Sequence, residues 1–257
     1  MPKSMPVIIY KPTRTVVVDG VTRVISKHEQ WYVRDTNKDF HCMGSIIRKE
    51  QLKPGKVKVG NNEFIIIEAS FLDEYKGIRR DAQIITRKDL GFIIGYCGLT
   101  KESVVVESGI GSGAATILFA KLCKKVHSYE IEQENIDVAK ENIAKLEVKN
   151  VVVNKGDFYN SKIVKAKNAD LVLLDLPEPW RALDSAKKAV KLGGYIVAYT
   201  PSITQAAKFV NGLPEGMLHE RTTEIIDRDW RIKGDAVRPV TADIGHTAFL
   251  TVVRRIL

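Results

Sequence analysis

The segment 104–113, with the sequence VVVESGIGSG, constrains the fold of this chain more than any other. It runs from an apolar, β-branched stretch into Glu107 and then into three alternating glycines, Gly109, Gly111 and Gly113. Glycine lacks a Cβ and accepts positive φ angles, so such a loop lets a ligand approach the backbone closely. Residues 114–124 continue with helical spacing, which places the loop at a helix N-terminus with unpaired amides. The segment therefore predicts a strand, loop and helix that bind a nucleotide-like ligand.

The spacing of the glycines differs from the dinucleotide-binding pattern G-x-G-x-x-G. The order E-x-G-x-G-x-G resembles the loop of S-adenosylmethionine-dependent methyltransferases. Glycine-rich turns also occur as plain connections, which the loop alone leaves open. The next apolar stretch ends in Glu130, 17 residues beyond Gly113, where the second strand of a doubly wound sheet places a carboxylate for two ribose hydroxyls. This spacing favours a bound ribose over an isolated surface glutamate.

Composition and charge define the class of protein. With 44% hydrophobic and 28% charged residues, the 257-residue chain has the composition of a water-soluble globular protein. No apolar run suits a signal peptide or a membrane span, so we expect a cytoplasmic protein that does not associate with a membrane. The net charge of +9 favours a polyanionic partner. Residues 1–77 hold 13 Lys/Arg against 9 Asp/Glu, although a solvated basic face is the alternative.

The three cysteines, Cys42, Cys97 and Cys123, lie far apart and show no metal-ligand spacing. We therefore expect buried thiols, without a disulfide framework, a zinc site or any metal cofactor. A cysteine nucleophile of the kind that methylates pyrimidine C5 is not supported either.

The pattern of the chain changes twice. Residues 1–77 contain two hairpin patterns, 13–25 about an Asp-Gly turn and 56–67 about a Gly-Asn-Asn turn, which predict a small β-rich domain, either a barrel or a sandwich, used for docking. Residues 78–102 are a basic linker with a short helix over 90–96. Residues 103–257 alternate apolar strands with amphipathic helices, which is typical of a parallel sheet covered on both faces.

The predicted fold class is α/β, with a Rossmann-like sheet of seven strands behind the small N-terminal β domain. The last two strands are expected to form an antiparallel closing hairpin. The strands are predicted at 103–107, 125–130, 150–154, 169–175, 194–199, 217–227 and 246–254, and the helices near 113–123, 133–146, 180–191 and 202–212.

Ligands of an open parallel sheet bind beyond the carboxyl ends of its strands, and several polar residues fall there. Asp157 is suited to accept a hydrogen bond from an adenine amino group and Phe158 to make a neighbouring contact, although Gly-Asp is also common turn chemistry. Asp175 ends a buried strand, where a carboxylate without a partner is costly. A helix N-cap is the alternative for Asp175. Trp180, in the same loop, more often packs than binds.

The later motifs resemble those of the tRNA (adenine-N1)-methyltransferases that act at position 58 of the T loop and, in archaea, also at position 57. The resemblance covers about residues 30–257. It implies an N-terminal β domain for tRNA docking and oligomerisation, a homotetramer, a tRNA substrate, and S-adenosyl-L-methionine as a donor that leaves as S-adenosyl-L-homocysteine. The motifs are QIITRKD (83–89), ESGIGSG (107–113), SYE (128–130), DLPEPW (175–180), YTP (199–201), Gln205, RP (238–239) and GHTAF (245–249).

The resemblance also implies the residues of the site. Asp175 matches the catalytic aspartate of the family. Thr86 and Arg87 depart from it, because relatives often place Tyr or His, followed by Pro, at these positions, so an aromatic or imidazole contact to the target base has no counterpart here. The implied cofactor contacts are Ile85, Gly109, Gly111, Ser112, Gly113, Ala114, Glu130, Asn135, Asp157, Phe158 and Asp175.

The implied reaction begins with a base turned out of the folded tRNA, since adenine N1 lies on the Watson–Crick edge. The N1 lone pair attacks the sulfonium methyl in line. Positive charge then spreads over the ring and the 6-amino group, where we hypothesise that the Asp175 carboxylate stabilises it. His246 is expected to have a structural or tRNA-facing role, and Arg238 to contact phosphate or an interface.

Two other functions remain open. A methyltransferase for another acceptor, such as an isoaspartyl carboxylate or a corrinoid precursor, has a similar glycine loop. Adenine 6-amino methyltransferases fit poorly, because their Asn/Asp-Pro-Pro-aromatic loop differs from the DLPEPW of this chain. A non-catalytic tRNA-binding subunit should have lost the glycine loop or the catalytic acid, and this chain keeps both.

Overall fold

The computed structural model describes residues 5–241 and 245–257, so residues 1–4 and 242–244 of the predicted domains lie outside it. The chain divides into two compact units, one ending at Ile78 and one beginning at Arg79. Between residues 5 and 78 the first unit contains eight strands, a single turn of 3-10 helix at Lys49–Gln51 and one short helix. They are β1 (Val7–Lys11), β2 (Arg14–Val18), β3 (Val21–Ser26), β4 (Glu29–Val33), β5 (Phe40–Cys42), β6 (Ser45–Ile47), β7 (Gly55–Val59), β8 (Asn62–Glu68) and α1 (Phe71–Lys76).

Both predicted hairpins are present in the first unit. Asp19 and Gly20 join β2 to β3 with φ angles of 53° and 75°, as a two-residue hairpin turn requires. The second hairpin turns on Gly60 and Asn61 alone, because Asn62 already pairs with Val59, so the predicted three-residue turn is wrong. The main sheet has the order β4-β1-β8-β7. Among the described residues its end strands, β4 and β7, do not pair with each other, so it is an open antiparallel sheet, and the barrel, one of the two predicted alternatives, is wrong.

In its described residues, 79–241 and 245–257, the second unit contains nine strands and five helices. Ahead of α5, one turn of 3-10 helix spans Pro179–Ala182. The elements in chain order are α2 (Arg87–Tyr96), β9 (Val104–Ser108), α3 (Ala114–Leu122), β10 (Lys125–Glu130), α4 (Gln133–Lys145), β11 (Val151–Lys155), β12 (Ala169–Leu174), α5 (Leu183–Ala189), β13 (Val190–Thr200), α6 (Ile203–Asn211), β14 (Met217–Thr223), β15 (Trp230–Lys233), β16 (Ala236–Pro239) and β17 (Phe249–Arg255).

Seven of these strands form one sheet, in the order β11-β10-β9-β12-β13-β17-β14. The first five are parallel, and β17 lies antiparallel between β13 and β14. The predicted seven-stranded α/β sheet is thus confirmed. The closing strands end earlier and begin later than predicted, at Thr223 and Phe249, and β15 and β16 form a further hairpin between them that the sequence analysis missed.

The central strands are fixed because both of their faces are buried. Leu171, Val172, Leu173 and Leu174 of β12 are all 0% exposed. Successive side chains of a strand point to opposite faces, and accordingly Val172 and Leu174 pack in one core cluster while Leu171 and Leu173 pack in the other. The strand order reverses between β9 and β12, and the crevice beyond such a reversal is where open α/β sheets bind ligands.

Candidate active site

A cavity of about 180 Å³ lies beyond the carboxyl ends of β9, β10 and β12. Its walls come from the glycine loop, from the segment 82–85 ahead of α2, and from one acid at the end of each strand or just beyond it. The lining residues are Ala82, Gln83, Ile84, Ile85, Glu107, Gly109, Ile110, Gly111, Ser112, Ala114, Ala115, Glu130 and Asp175.

The glycine loop joins β9 to the start of α3. Gly109, Gly111 and Gly113 have φ angles of 86°, 49° and 77°, a region that other residues rarely adopt. A Cβ on Gly109 would overlap the carbonyl oxygen of Asp175, and one on Gly113 would lie 3.1 Å from Cβ of Ala139. The loop therefore needs glycine for its backbone conformation and, at these two positions, for close packing as well.

The carboxylate of Glu130 lies at the end of β10 and is held by backbone amides. Its Oε1 accepts hydrogen bonds from the amides of Ile131 at 2.8 Å and Glu132 at 3.1 Å. Its Oε2 accepts from the amide of Gly111 at 3.3 Å and from Nδ2 of Asn135 at 3.4 Å. This arrangement fixes the orientation of a buried acidic side chain beside the glycine loop.

The other two acids have unusual ionisation. Glu107 accepts hydrogen bonds from Oγ1 of Thr116 and, at 2.9 Å, from Oγ of Ser128. Burial nevertheless raises the pKa of Glu107 to about 7. Burial likewise raises the pKa of Asp175 to about 7, with a smaller contribution from the charge of Glu130. Three carboxylates thus share one small cavity, which favours a ligand that carries positive charge.

A buried acid with a raised pKa makes the stability of the fold depend on pH. Because folded Glu107 holds its proton up to about pH 7 and the unfolded side chain only to about 4.5, its contribution is complete at low pH and is lost as pH rises between those values. We expect Glu107→Gln to raise the free energy of unfolding relative to wild type by roughly 2–3 kcal/mol at pH 8, with no such gain at pH 4.

Urea unfolding at both pH values measures this difference. Glu102→Gln, at an exposed glutamate, is the matched control and should leave the free energy of unfolding unchanged at either pH. An equal gain for Glu107→Gln at pH 4 and pH 8 would contradict the raised pKa.

The segment 79–82, which leads into the cavity wall at Ala82, is held by a residue of α4. Asn142 is 1% exposed, and its Nδ2 donates to the carbonyls of Arg79 at 2.8 Å and Ser112 at 2.9 Å, while its Oδ1 accepts from the Arg79 amide at 2.9 Å. Oγ of Ser112 accepts from the amides of Asp81 at 3.2 Å and Ala82 at 3.4 Å. These bonds pin the segment against the glycine loop.

The sequence profile of a family described as "tRNA methyltransferase complex GCD14 subunit" matches residues 77–242. The tRNA (adenine(57)-N(1)/adenine(58)-N(1))-methyltransferase TrmI of Methanocaldococcus jannaschii is 34% identical over 222 residues, which cover 74% of this chain and 78% of that protein. This chain belongs to the GCD14 tRNA methyltransferase family.

Solved structures agree on the fold. The tRNA (m1A58) methyltransferase TrmI of Aquifex aeolicus superposes with a TM-score of 0.76 at 22% identity, covering 100% of this chain and 99% of that one. A SAM-dependent O-methyltransferase of Thermotoga maritima superposes with a TM-score of 0.79 at 22% identity, covering 100% and 95%. The fold of this GCD14-family chain is therefore that of S-adenosylmethionine-dependent methyltransferases.

Most of the cofactor contacts implied by the resemblance to this family lie together around the cavity. The four that do not line it have other surroundings. Gly113 caps α3, and Asn135 lines a neighbouring cavity of about 410 Å³ while bonding to Glu130. Asp157 is exposed, and Phe158 is buried in the core with its ring centroid 5.1 Å from that of Tyr129. The seven that line the cavity are Ile85, Gly109, Gly111, Ser112, Ala114, Glu130 and Asp175.

Several residues of the site were not among the predicted contacts. Glu107 is part of the glycine-loop motif, so its position at a strand end was the signal for it. Gln83 belongs to a motif of the family resemblance. The sequence does not indicate the role of Asn142, because an asparagine in an amphipathic helix is usually expected on the surface.

The loop after Asp175 is held by its own contacts. The N-cap of the 3-10 turn is Glu178, so Asp175 does not cap it, and the N-cap alternative is wrong. Nε2 of Gln205 donates to the Pro177 carbonyl at 3.0 Å. Trp180 packs against the core, as predicted, with Nζ of Lys208 4.0 Å above its ring.

His246 and Thr86 both have structural partners. Nδ1 of His246 lies 2.8 Å from Oε2 of Glu224, and Nε2 lies 3.1 Å from the Pro201 carbonyl oxygen. The pKa of His246 is raised, mainly by the hydrogen bond with Glu224 and to a smaller extent by the hydrogen bond with the Pro201 carbonyl. Thr86 caps α2, a helix position that an aromatic side chain cannot fill in this way.

In residues 5–241 and 245–257, no helix is long and apolar enough to cross a membrane. Over the same ranges, no three His, Cys, Asp or Glu side chains are grouped to hold a metal ion.

Arg238 lies in β16, where it is exposed opposite Arg231.

Proposed function

We propose that this chain is an S-adenosyl-L-methionine-dependent tRNA (adenine-N1)-methyltransferase that modifies A58 of the T loop and also A57. The observation that carries the proposal is that the Asp175 carboxylate and the glycine loop line one cavity in a member of this family. The second target, A57, is proposed because the Methanocaldococcus jannaschii relative is named for both positions.

The cavity suits the donor by shape and by charge. Bound S-adenosyl-L-methionine supplies an electrophilic methyl on a positively charged sulfur. Gly109 and Gly111 leave the backbone open to it, and Glu130 presents a fixed carboxylate for ribose hydroxyls. Glu107 and Asp175 add negative charge on the same wall, which favours a sulfonium over a neutral thioether.

We expect donor binding to release protons near pH 7. Burial raises the pKa of Glu107 and of Asp175 to about 7, and a cation beside the two carboxylates lowers both pKa values, so the affinity should rise about 10-fold between pH 6 and pH 8. Calorimetry in buffers of different ionisation enthalpy measures the proton release directly. S-adenosyl-L-homocysteine, which lacks the sulfonium charge, is the matched control and should release fewer protons. Equal release by the two ligands would count against a carboxylate pocket that selects charge.

In the proposed reaction Asp175 accepts a hydrogen bond from the 6-amino group of the target adenine. This contact points N1 at the methyl and strengthens as the ring becomes positively charged, so it lowers the barrier rather than only the ground state. The N1–C bond forms while the C–S bond breaks, and no covalent enzyme intermediate is needed. We propose that Asp175 then takes up a proton from the 6-amino group of the methylated base.

The function is tested with an unmodified tRNA transcript, labelled donor and nucleoside mass spectrometry. We expect 1-methyladenosine at both positions of the wild-type transcript. The modification at position 58 should be lost in an A58→G transcript, and that at position 57 in an A57→G transcript. Label on tRNA without 1-methyladenosine, or label only on an isoaspartyl peptide or corrinoid precursor, would refute the proposal. A protein that binds tRNA but no donor would instead be the non-catalytic subunit.

The proposal extends to assembly, docking and compartment. We infer from the family resemblance a homotetramer, measurable by light scattering, in which the unit of residues 1–77 contributes to oligomerisation and docks tRNA. Its excess of Lys/Arg supports binding to RNA phosphates, which should weaken steeply with salt. Cytoplasmic localisation follows from the substrate.

A further inference from the structure

Asp89, in the first turn of α2, is a fully buried carboxylate that the proposed reaction does not use. Its Oδ2 accepts hydrogen bonds from Oγ1 of Thr86 at 2.8 Å, from the hydroxyl of Tyr199 at 3.0 Å and from Oγ1 of Thr247 at 2.7 Å. Its Oδ1 accepts from Nζ of Lys88 at 2.9 Å. One carboxylate thus joins the start of α2, the end of β13 and the segment before β17.

Stability alone does not account for this cluster. Burial tends to raise the pKa of Asp89, but the bonds from Lys88, Thr247, Thr86 and Tyr199 together outweigh it and leave the pKa below its ordinary value. Asp89 is therefore ionised. A buried ion pair generally stabilises a fold no more than well-packed apolar residues do, and its attested use is to fix one geometry.

The geometry that Asp89 fixes lies beside the candidate site. In the pairing of β12 with β13, Leu174 is opposite Ala198, which brings the next residues, Asp175 and Tyr199, side by side at the strand ends. Burial and then Asp89 raise the pKa of Tyr199, a hydrogen bond with Thr247 acts in the opposite direction, and the charge of Asp175 adds a smaller rise. Tyr199 is therefore next to the acid that the proposed reaction uses, with its hydroxyl proton directed at Asp89.

We propose that Asp89 is a positioning residue that holds the Tyr199 hydroxyl beside Asp175 and so orients the acceptor base. The inference rests on the proposed function, because it assigns Tyr199 to the acceptor side of the cavity. The phenol proton is directed at Asp89, so in this proposal the phenol oxygen acts towards the base only as a hydrogen-bond acceptor. Asp89 acts through Tyr199 and touches neither donor nor base.

The test compares Asp89→Asn, Tyr199→Phe and the double variant in single-turnover methylation of tRNA at saturating donor. Each single variant should slow methyl transfer about 10- to 100-fold by misorienting the acceptor, with donor affinity within about 3-fold of wild type. The double variant should be no slower than the slower single variant, because both changes break one interaction. Rate losses that multiply in the double variant would overturn the proposal.

The matched control for a purely structural effect is Asn150→Ala. Nδ2 of Asn150 donates to the carbonyls of Ala120 at 2.8 Å and Cys123 at 2.9 Å, beside the amino end of β11 and away from the cavity. This variant loses partly buried hydrogen bonds but should methylate tRNA at the wild-type rate. If Asp89→Asn slows transfer no more than Asn150→Ala does, Asp89 has only a structural role.

A readout without activity separates this inference from the proposed function. In protein labelled with 13C at tyrosine Cζ, the resonance missing from Tyr199→Phe identifies Tyr199. It should shift in Asp89→Asn and stay in place in Asn150→Ala, and an unmoved resonance in Asp89→Asn would refute the contact. If wild-type protein methylates no tRNA, the proposed function fails, while the Asp89–Tyr199 contact is still decided by this spectrum.

Discussion

Replacing Asp175 with asparagine is expected to lower the rate of methyl transfer by about 10²–10³-fold, the loss typical of one preorganised electrostatic partner. The amide keeps the shape of the carboxylate but carries no charge to stabilise the positive charge that develops on the adenine. Single-turnover methylation of tRNA at saturating donor measures the effect. Glu178→Gln, in the same loop and half-exposed, is the matched control and should stay within about 2-fold of wild type.

The pH profile provides an independent check on Asp175. Burial raises the pKa of Asp175 to about 7 and the reaction requires the carboxylate, so kcat/KM should fall as pH drops below about 7. This acid limb should become shallower in Asp175→Asn, because Glu107 still titrates near pH 7. Turnover of that variant near the wild-type value, with unchanged donor affinity, would remove Asp175 from the mechanism.

Gly109→Ala is expected to abolish donor binding and to lower the free energy of unfolding by about 3 kcal/mol or more. Two costs combine here, because the φ angle of 86° is unfavourable for alanine and the new Cβ would overlap the Asp175 carbonyl oxygen. Relief of the overlap requires the ends of β9 and β12 to separate, which opens the cavity.

Gly193→Ala isolates the backbone cost. Gly193 has a φ angle of 77°, but a Cβ there would meet no heavy atom within 4 Å, so only about 1 kcal/mol of strain is expected. Scanning calorimetry and donor titration of both variants provide the comparison. Equal losses of stability, or full donor binding by Gly109→Ala, would contradict the close approach of the two strand ends.

The sequence predicts the central sheet well because its strands are apolar runs buried on both faces, and such runs stand out in any context. The sequence predicts the glycine loop equally well. Gly109 and Gly111 have positive φ angles, which favour glycine over other residues, so the residue type itself indicates the loop. The β15–β16 hairpin was missed because charged residues interrupt its exposed strands. The Gly234-Asp235 turn between them was the available signal.

What the sequence does not reveal are contacts made across long stretches of chain. Asp89 and Tyr199 are 110 residues apart, and nothing in either neighbourhood predicts that they bond. Asn142 and Arg79 are 63 residues apart and appear unremarkable in sequence. Phe158 follows an acid at a strand end, where a ligand contact is reasonable, yet its burial against Tyr129 depends on how two strands pack.

At the ends of β9 and β12, the contacts that hold Asp175 are separate from the contacts that hold the loop after it. The carbonyl oxygen of Ser108 accepts a hydrogen bond from the Asp175 amide at 3.1 Å, and the missing Cβ of Gly109 leaves room for the Asp175 carbonyl oxygen, so the glycine loop and Asp175 are held together as one piece. From Pro177 onward the loop is held by Gln205 and Tyr159 instead. The segment that begins two residues after Asp175 can therefore be exchanged without breaking the contacts that hold the glycine loop against Asp175.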